Sequence, residues 1–149
     1  MGCFATGVTV VTCADAEGRP HGLTVNSFTS VSLDPPLVLV CLAKAAASAA
    51  PLVESPHFAI NVLRTEQRPA SITFSSRVED RFGQTRWTEG AEGAPLLAGS
   101  LAQFECARHA VHDGGDHHIL VGRVKRAGYE IGPDPLLYFK GKYRRLHFD

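Results

Sequence analysis

Short β-branched and apolar runs, separated by glycine, proline and acidic turns, set the pattern of this chain. Residues 7–13 (GVTVVTC) are compact and β-branched and read as a strand. Asp15-Ala16-Glu17-Gly18 is a turn, so residues 21–27 follow as the second arm of a hairpin. Asp34-Pro35-Pro36 interrupts the chain, because a residue before proline avoids the helical region. Residues 37–42 (LVLVCL) are apolar without alternation, the pattern of a strand buried on both faces. Residues 43–53 are alanine-rich and read as a loop opening a short helix, with Ser48 as N-cap and Pro51 in the first turn. Residues 58–63 (FAINVL) form a fourth strand, and residues 66–74 a second short helix. Residues 75–99 carry charges and glycines with few apolar repeats. They read as a long loop with a small turn at Ala94-Pro95, and loops of that length are usually functional. Residues 101–112, 118–126 and 136–148 complete the strands. Many short strands with few helices point to a mainly β fold, an antiparallel barrel whose closure removes exposed edges.

Bulk composition narrows the class. The 149 residues predict one domain over 1–149, and 44% apolar with 20% charged residues is an ordinary globular balance. A formal net charge of zero argues against a nucleic-acid footprint. Basic residues are scattered except for Lys140, Lys142, Arg144 and Arg145. Cys3, Cys13, Cys41 and Cys106 form no Cys-x-x-Cys pair and are expected as reduced, mostly buried thiols in a cytoplasmic protein. The first residues lack the pattern of a signal peptide, and no apolar run approaches the ~18 residues of a membrane helix.

Candidate chemistry gathers in three places. Between Thr24 and Ser32, five hydroxyl residues and Asn26 surround Phe28, more polar groups than a plain core strand needs. Thr24, Asn26, Ser27 and Thr29 can hydrogen-bond a flat polar ligand, or they can form the side-chain turns of an edge strand. Alternation places Thr24 and Asn26 on one face. Second, Cys41, Leu42, Ala43, Lys44 and Ser48 leave a strand and enter a helix, where free N–H groups and a lysine suit an anion. An exposed lysine with an ordinary helix cap is the other reading. Third, Gly114-Gly115-Asp116-His117 places a histidine after a flexible turn, with Asp116 able to orient its ring. His109, His112, His117 and His118 match no zinc spacing, and no metal site is expected. No Gly-x-Gly-x-x-Gly follows a strand, so a nicotinamide cofactor would not be held by a Rossmann domain.

Five segments, FATGVTVVT (4–12), NSFTS (26–30), FAINVL (58–63), Gly115-Asp116-His117 and PLLYF (135–139), resemble the flavin reductase family in order and spacing, over nearly the whole chain. That resemblance implies an FMN-binding split β-barrel, antiparallel and Greek-key-like, and an NAD(P)H:flavin oxidoreductase acting on FMN or FAD. NADH or NADPH would give the hydride, and reduced flavin would pass to a partner flavin-dependent monooxygenase. The protein would be a homodimer. Such chemistry belongs to the cofactor, so backbone amides and hydroxyls are expected rather than a catalytic triad. The resemblance implies His117 near flavin and nicotinamide as the catalytic residue. It also implies Phe82 packed on or over the flavin, and Tyr143 within reach of either ring; for both, a core aromatic is the alternative. Relatives often carry two hydroxyl residues before the helix; here Ala46 replaces the first and Ser48 remains, which suits a loosely held flavin. Only Met1-Gly2-Cys3 precedes the Phe4 segment, where relatives usually have a helix. A flavin-binding module without turnover and a self-contained flavin oxidase remain the alternative functions.

Overall fold

The computed structural model describes residues 1–149. Twelve strands form: β1 (Thr6–Gly7), β2 (Thr9–Ala14), β3 (Pro20–Val25), β4 (Thr29–Leu33), β5 (Pro36–Ala43), β6 (His57–Val62), β7 (Trp87–Glu89), β8 (Pro95–Leu97), β9 (Ala102–Gly114), β10 (His117–Tyr129), β11 (Leu137–Phe139) and β12 (Lys142–Arg144). The α-helices are α1 (Ala49–Glu54) and α2 (Arg68–Ser75). Pro69 sits in the first turn of α2, where its missing N–H costs nothing.

Seven strands make one antiparallel sheet in the order β3-β2-β6-β9-β10-β5-β4. Its two edges, β3 and β4, are consecutive in the chain and joined only by Asn26, Ser27 and Phe28. Three residues reach about 14 Å, whereas six strand spacings of a flat sheet span about 29 Å. The sheet must therefore roll until its edges meet. Ser27 marks the seam: its Oγ accepts from Cys41 N at 2.8 Å and donates to Cys41 O at 3.1 Å, on β5. This is the barrel that the run of short strands predicts. β1, β11 and β12 form a separate three-stranded sheet, and β7 with β8 a small hairpin.

Alternation along β2 builds two cores. Val11 and Cys13 face one cluster with Val38, Val40, Leu42, Leu52, Phe58, Ile60 and Leu120. Val8 and Val10 face the other, with Leu63, Phe74, Leu97 and Leu136. The strand covered on both faces is thus β2, not the apolar run at 37–42. In β5, Val38, Val40 and Leu42 point inward while Leu37, Leu39 and Cys41 are half-buried. Apolarity on both faces does not by itself say that two layers cover the strand. Gly122 lies where the β9–β10 register shifts, and a Cβ there would stand 2.4 Å from the Phe58 ring. Only a glycine lets the ring lie that close.

Two other readings change. The expected loop at 75–99 contains the β7–β8 hairpin, whose turn is at Gly90–Gly93 rather than Ala94-Pro95; Ala94 and Pro95 are buried. The expected single strand at 136–148 is two strands, because Lys140 (φ 50°) and Gly141 (φ 74°) form a tight turn with both residues left-handed. No helix is long and apolar enough to cross a membrane.

All four cysteines are unpaired. Burial pushes the Cys13 and Cys106 thiols up to about 12, with Asp15 and Glu105 adding to the effect. Cys3 is exposed and Cys41 half-buried. A thiol reagent that needs thiolate is therefore expected to modify only Cys3 and Cys41 in the native protein, and all four in denaturant. Rapid native labelling of Cys13 or Cys106 would contradict the packing.

Candidate functional site

A cleft of about 640 Å³ opens beside the turn between β9 and β10, within the size range of small-molecule sites. Cys41 on β5 and Ile119 on β10 are register partners on one side of it. Asn26 and Ser27 enter from the barrel seam. Across from them are Thr6 on β1 and Tyr138 on β11, which are also register partners, followed by Phe139 and Lys140. The N-terminal segment is tied to this wall by Lys140 N donating to Gly2 O at 2.9 Å.

His117 stands at the rim, opposite Gly114 on β9 and Ala43 on β5. The turn before it needs Gly115 at φ 76°, a conformation glycine adopts freely, and a two-residue turn with glycine first suits the twist of the hairpin. His117 Nδ1 lies 2.7 Å from Asp116 Oδ1. When Nδ1–H donates to that carboxylate, Nε2 is left for whatever fills the cleft. The hydrogen bond with His117 holds the Asp116 carboxyl below the usual carboxylate range. Lys44 N donates to Asp116 O at 2.9 Å, so the turn is fixed to β5 through the backbone. The Lys44 ammonium pairs with Asp113, whose carboxyl it likewise holds low.

Asn26, Ser27, Cys41 and His117 are thus brought together around the cleft. The other candidates fall elsewhere. Thr24 lines a smaller pocket of about 190 Å³ with Asn26, Ser71, Tyr138 and Tyr143, and its hydroxyl donates to Ser71 O at 2.8 Å. Tyr143 OH meets Ser71 Oγ at 2.8 Å, and its ring packs edge-on to Tyr138. Ser48 and Phe82 line a separate recess of about 900 Å³ against the loop at 75–82. Phe82 packs edge-on to Phe74 and Trp87, as a core aromatic does. Three candidates lie apart from the cleft or have their polar groups engaged. Thr29 is exposed, with only a long bond to Ser30 O at 3.3 Å, because it opens the edge strand β4 outside the cleft. The Leu42 side chain is wholly buried in the first core cluster and offers a ligand only its backbone. Ser48 does precede α1, but its hydroxyl makes no cap bond; it donates to Gly22 O at 3.0 Å and has no hydrogen left for a phosphate. Ala43 contributes as the register partner of His117, not as a lining side chain. His109 and His112 are exposed on β9.

Sequence reasoning missed Thr6, Ile119, Phe139 and Lys140, and Tyr138 as a wall of the cleft. Segments 4–12 and 135–139 contain three of these, but their pairing through β1–β11 is a long-range register that no local pattern carries.

Known proteins give the same reading of the chain. Residues 1–147 match the flavin reductase like domain. The chain belongs to the flavin reductase-like family. It is 48% identical to the stachydrine N-demethylase reductase subunit Stc3 of Rhizobium meliloti over 96% of this chain and 62% of that protein. It is 49% identical to the FMN reductase (NADH) SmoA of Agrobacterium fabrum over 98% of this chain and 82% of that one. The structure of the Streptomyces globisporus NADH:FAD oxidoreductase SgcE6, in complex with NAD and FAD fragments, superposes with a TM-score of 0.93 at 44% identity, covering 99% of this chain and 89% of that one. The chain spans about half to three-fifths of the length of the Rhizobium meliloti relatives it matches. The fold is the split barrel of those structures.

The cleft fits a flavin ring on its own chemistry. Thr6 Oγ1 is buried without a hydrogen-bond partner, next to the aromatic wall of Tyr138 and Phe139. Burying a hydroxyl unpaired is costly, so a ligand group that pairs with Thr6 would remove that cost. Ser27 already donates its one hydrogen, so it retains a single lone pair and can accept from a ring N–H but not donate. An apolar wall with a few fixed polar groups is what a flat, polar-edged ring requires.

Proposed function

We infer that this chain is an NADH-dependent flavin reductase acting on FMN or FAD, and that reduced flavin passes to a partner monooxygenase. The observation carrying the reading is the convergence of His117, Ser27, Asn26 and Thr6 on one apolar-walled cleft in a chain of this family. Flavin supplies the redox chemistry when bound; the chain supplies the surface and the orientation. Asn26 and Ser27 orient the polar edge of the ring. Cys41 and Ile119 exclude water from one side, and Tyr138 and Phe139 from the other. His117, its tautomer held by Asp116, positions the nicotinamide over the rim. Keeping two rings in a stacked, near-attack arrangement is a proximity effect and asks for no strong base.

The names of SmoA and SgcE6 support the NADH donor and both flavins, and that of Stc3, a reductase subunit, supports delivery to a partner enzyme. Four unpaired cysteines support a reducing, cytoplasmic setting. Exposed Val31 and Leu33 on the edge strand β4 support a homodimer.

The test is NADH consumption at 340 nm by flavin-free protein with added FMN or FAD. The reading expects oxidation that saturates in flavin. Quenched flavin fluorescence without NADH consumption selects a binding module instead.

A further inference from the structure

A second feature lies beyond the cleft. Arg68 opens α2, Arg144 ends β12, and Arg145 and His147 follow it; together with Thr65 and Tyr143 they line a recess of about 240 Å³. No carboxylate lines it. Glu66, the acid next to this cluster in sequence, is paired with Arg64 at 3.5 Å. Arg68 is exposed, but its guanidinium carbon lies 5.2 Å from the centroid of the Tyr143 ring, a cation–π contact that orients it beside the recess. Three arginines crowded without a counter-charge repel one another, and a resident anion relieves that repulsion. The planar fork of arginine matches phosphate oxygens two at a time. The recess neighbours the cleft by way of the small pocket. Tyr143 separates it from the small pocket, and that pocket shares Asn26 and Tyr138 with the cleft.

We propose that Arg68, Arg144, Arg145 and His147 form a phosphate-binding subsite for the dinucleotide whose ring enters the cleft; the identity of that ring rests on the flavin reductase reading, the anion chemistry does not. Pyrophosphate or ribose phosphate would sit among the guanidiniums, with the tail of the dinucleotide running along Tyr143. The nicotinamide dinucleotide and FAD both carry this group.

ADP-ribose is the probe, since it has the pyrophosphate but neither the nicotinamide nor the isoalloxazine; riboflavin, with the isoalloxazine and no phosphate, is the control. By calorimetry at low salt, ADP-ribose is expected to bind the wild type and to lose at least about tenfold in affinity in Arg68→Ala/Arg145→Ala, the loss expected of one charged hydrogen bond. Riboflavin binding is expected to stay within about twofold, since the substituted groups lie outside the cleft. Arg145→Lys keeps the charge but loses the fork, and is expected to fall between the wild type and the double substitution. In turnover, a raised KM for NADH alone assigns the subsite to the nicotinamide dinucleotide, and a raised KM for FAD alone to the flavin. An ADP-ribose affinity unchanged by the double substitution, or no ADP-ribose binding to the wild type, overturns the subsite. If ADP-ribose binds through the arginines but NADH is never oxidised, the reductase reading fails and the subsite stands.

Discussion

Replacing His117 by alanine is expected to slow NADH-driven flavin reduction by about 10²-fold, the scale of a lost positioning or proton-handling group, while flavin affinity changes by less than tenfold. The asymmetry follows from where His117 stands. It lies at the rim, on a turn fixed to β5 by the Lys44 amide and with its ring held by Asp116, whereas Asn26, Ser27, Cys41 and Tyr138 provide the walls. Removing it leaves the walls intact and loosens the second ring rather than the first. The measurement is the single-turnover rate at saturating NADH, set beside the flavin dissociation constant from fluorescence quenching. An unchanged rate would remove His117 from the reaction, and a collapse in flavin affinity would make it a binding residue instead.

The largest loss of stability is expected at Asn61. Its side chain is fully buried and joins four partners: Nδ2 donates to Val10 O at 3.1 Å and to Thr12 Oγ1 at 3.3 Å, and Oδ1 accepts from Leu97 N at 2.9 Å and from Gln103 Nε2 at 3.0 Å. This one amide ties β2, β6, β8 and β9 together. Asn61→Leu keeps the volume but orphans the Leu97 N–H and one of the two N–H groups of the Gln103 amide, whose other bond, to Leu97 O at 2.8 Å, remains; each orphaned group costs roughly 1–3 kcal/mol. The expected loss is about 3–4 kcal/mol in urea unfolding, with an unchanged slope against denaturant. A loss below about 1 kcal/mol would mean that water enters and satisfies the orphaned groups.

Asn61 also shows where sequence reading reaches its limit. The run FAINVL is legible as a strand from its β-branched and aromatic residues, and the order of short strands is legible as a barrel. That the asparagine faces four partners is not, because those partners are set by the registers β2–β6 and β6–β9. The site divides in the same way. His117 stood out because a glycine turn, an acid and a histidine are adjacent in sequence. The hydroxyl stripe was legible as polar but not as already satisfied: Thr24 is bound to Ser71 O, Ser48 to Gly22 O, and Ser27 to both backbone groups of Cys41. A hydroxyl that closes the barrel and one that awaits a ligand look alike in sequence. The pairing of Lys44 with Asp113 was not legible either, since the two lie far apart along the chain. Thr6 and Tyr138 went unnoticed as a pair because only the β1–β11 pairing makes them neighbours.

The central claim is that flavin is reduced in the cleft between Cys41 and Tyr138. Its most direct test is anaerobic mixing of NADH with the protein and flavin, followed by the flavin absorbance near 450 nm, in the wild type and in Cys41→Trp, whose half-buried position lets an indole fill the cleft. The account predicts bleaching that saturates in NADH for the wild type and is nearly abolished in a Cys41→Trp protein that still folds by circular dichroism. Equal bleaching rates in the two proteins would place the reaction elsewhere and contradict it.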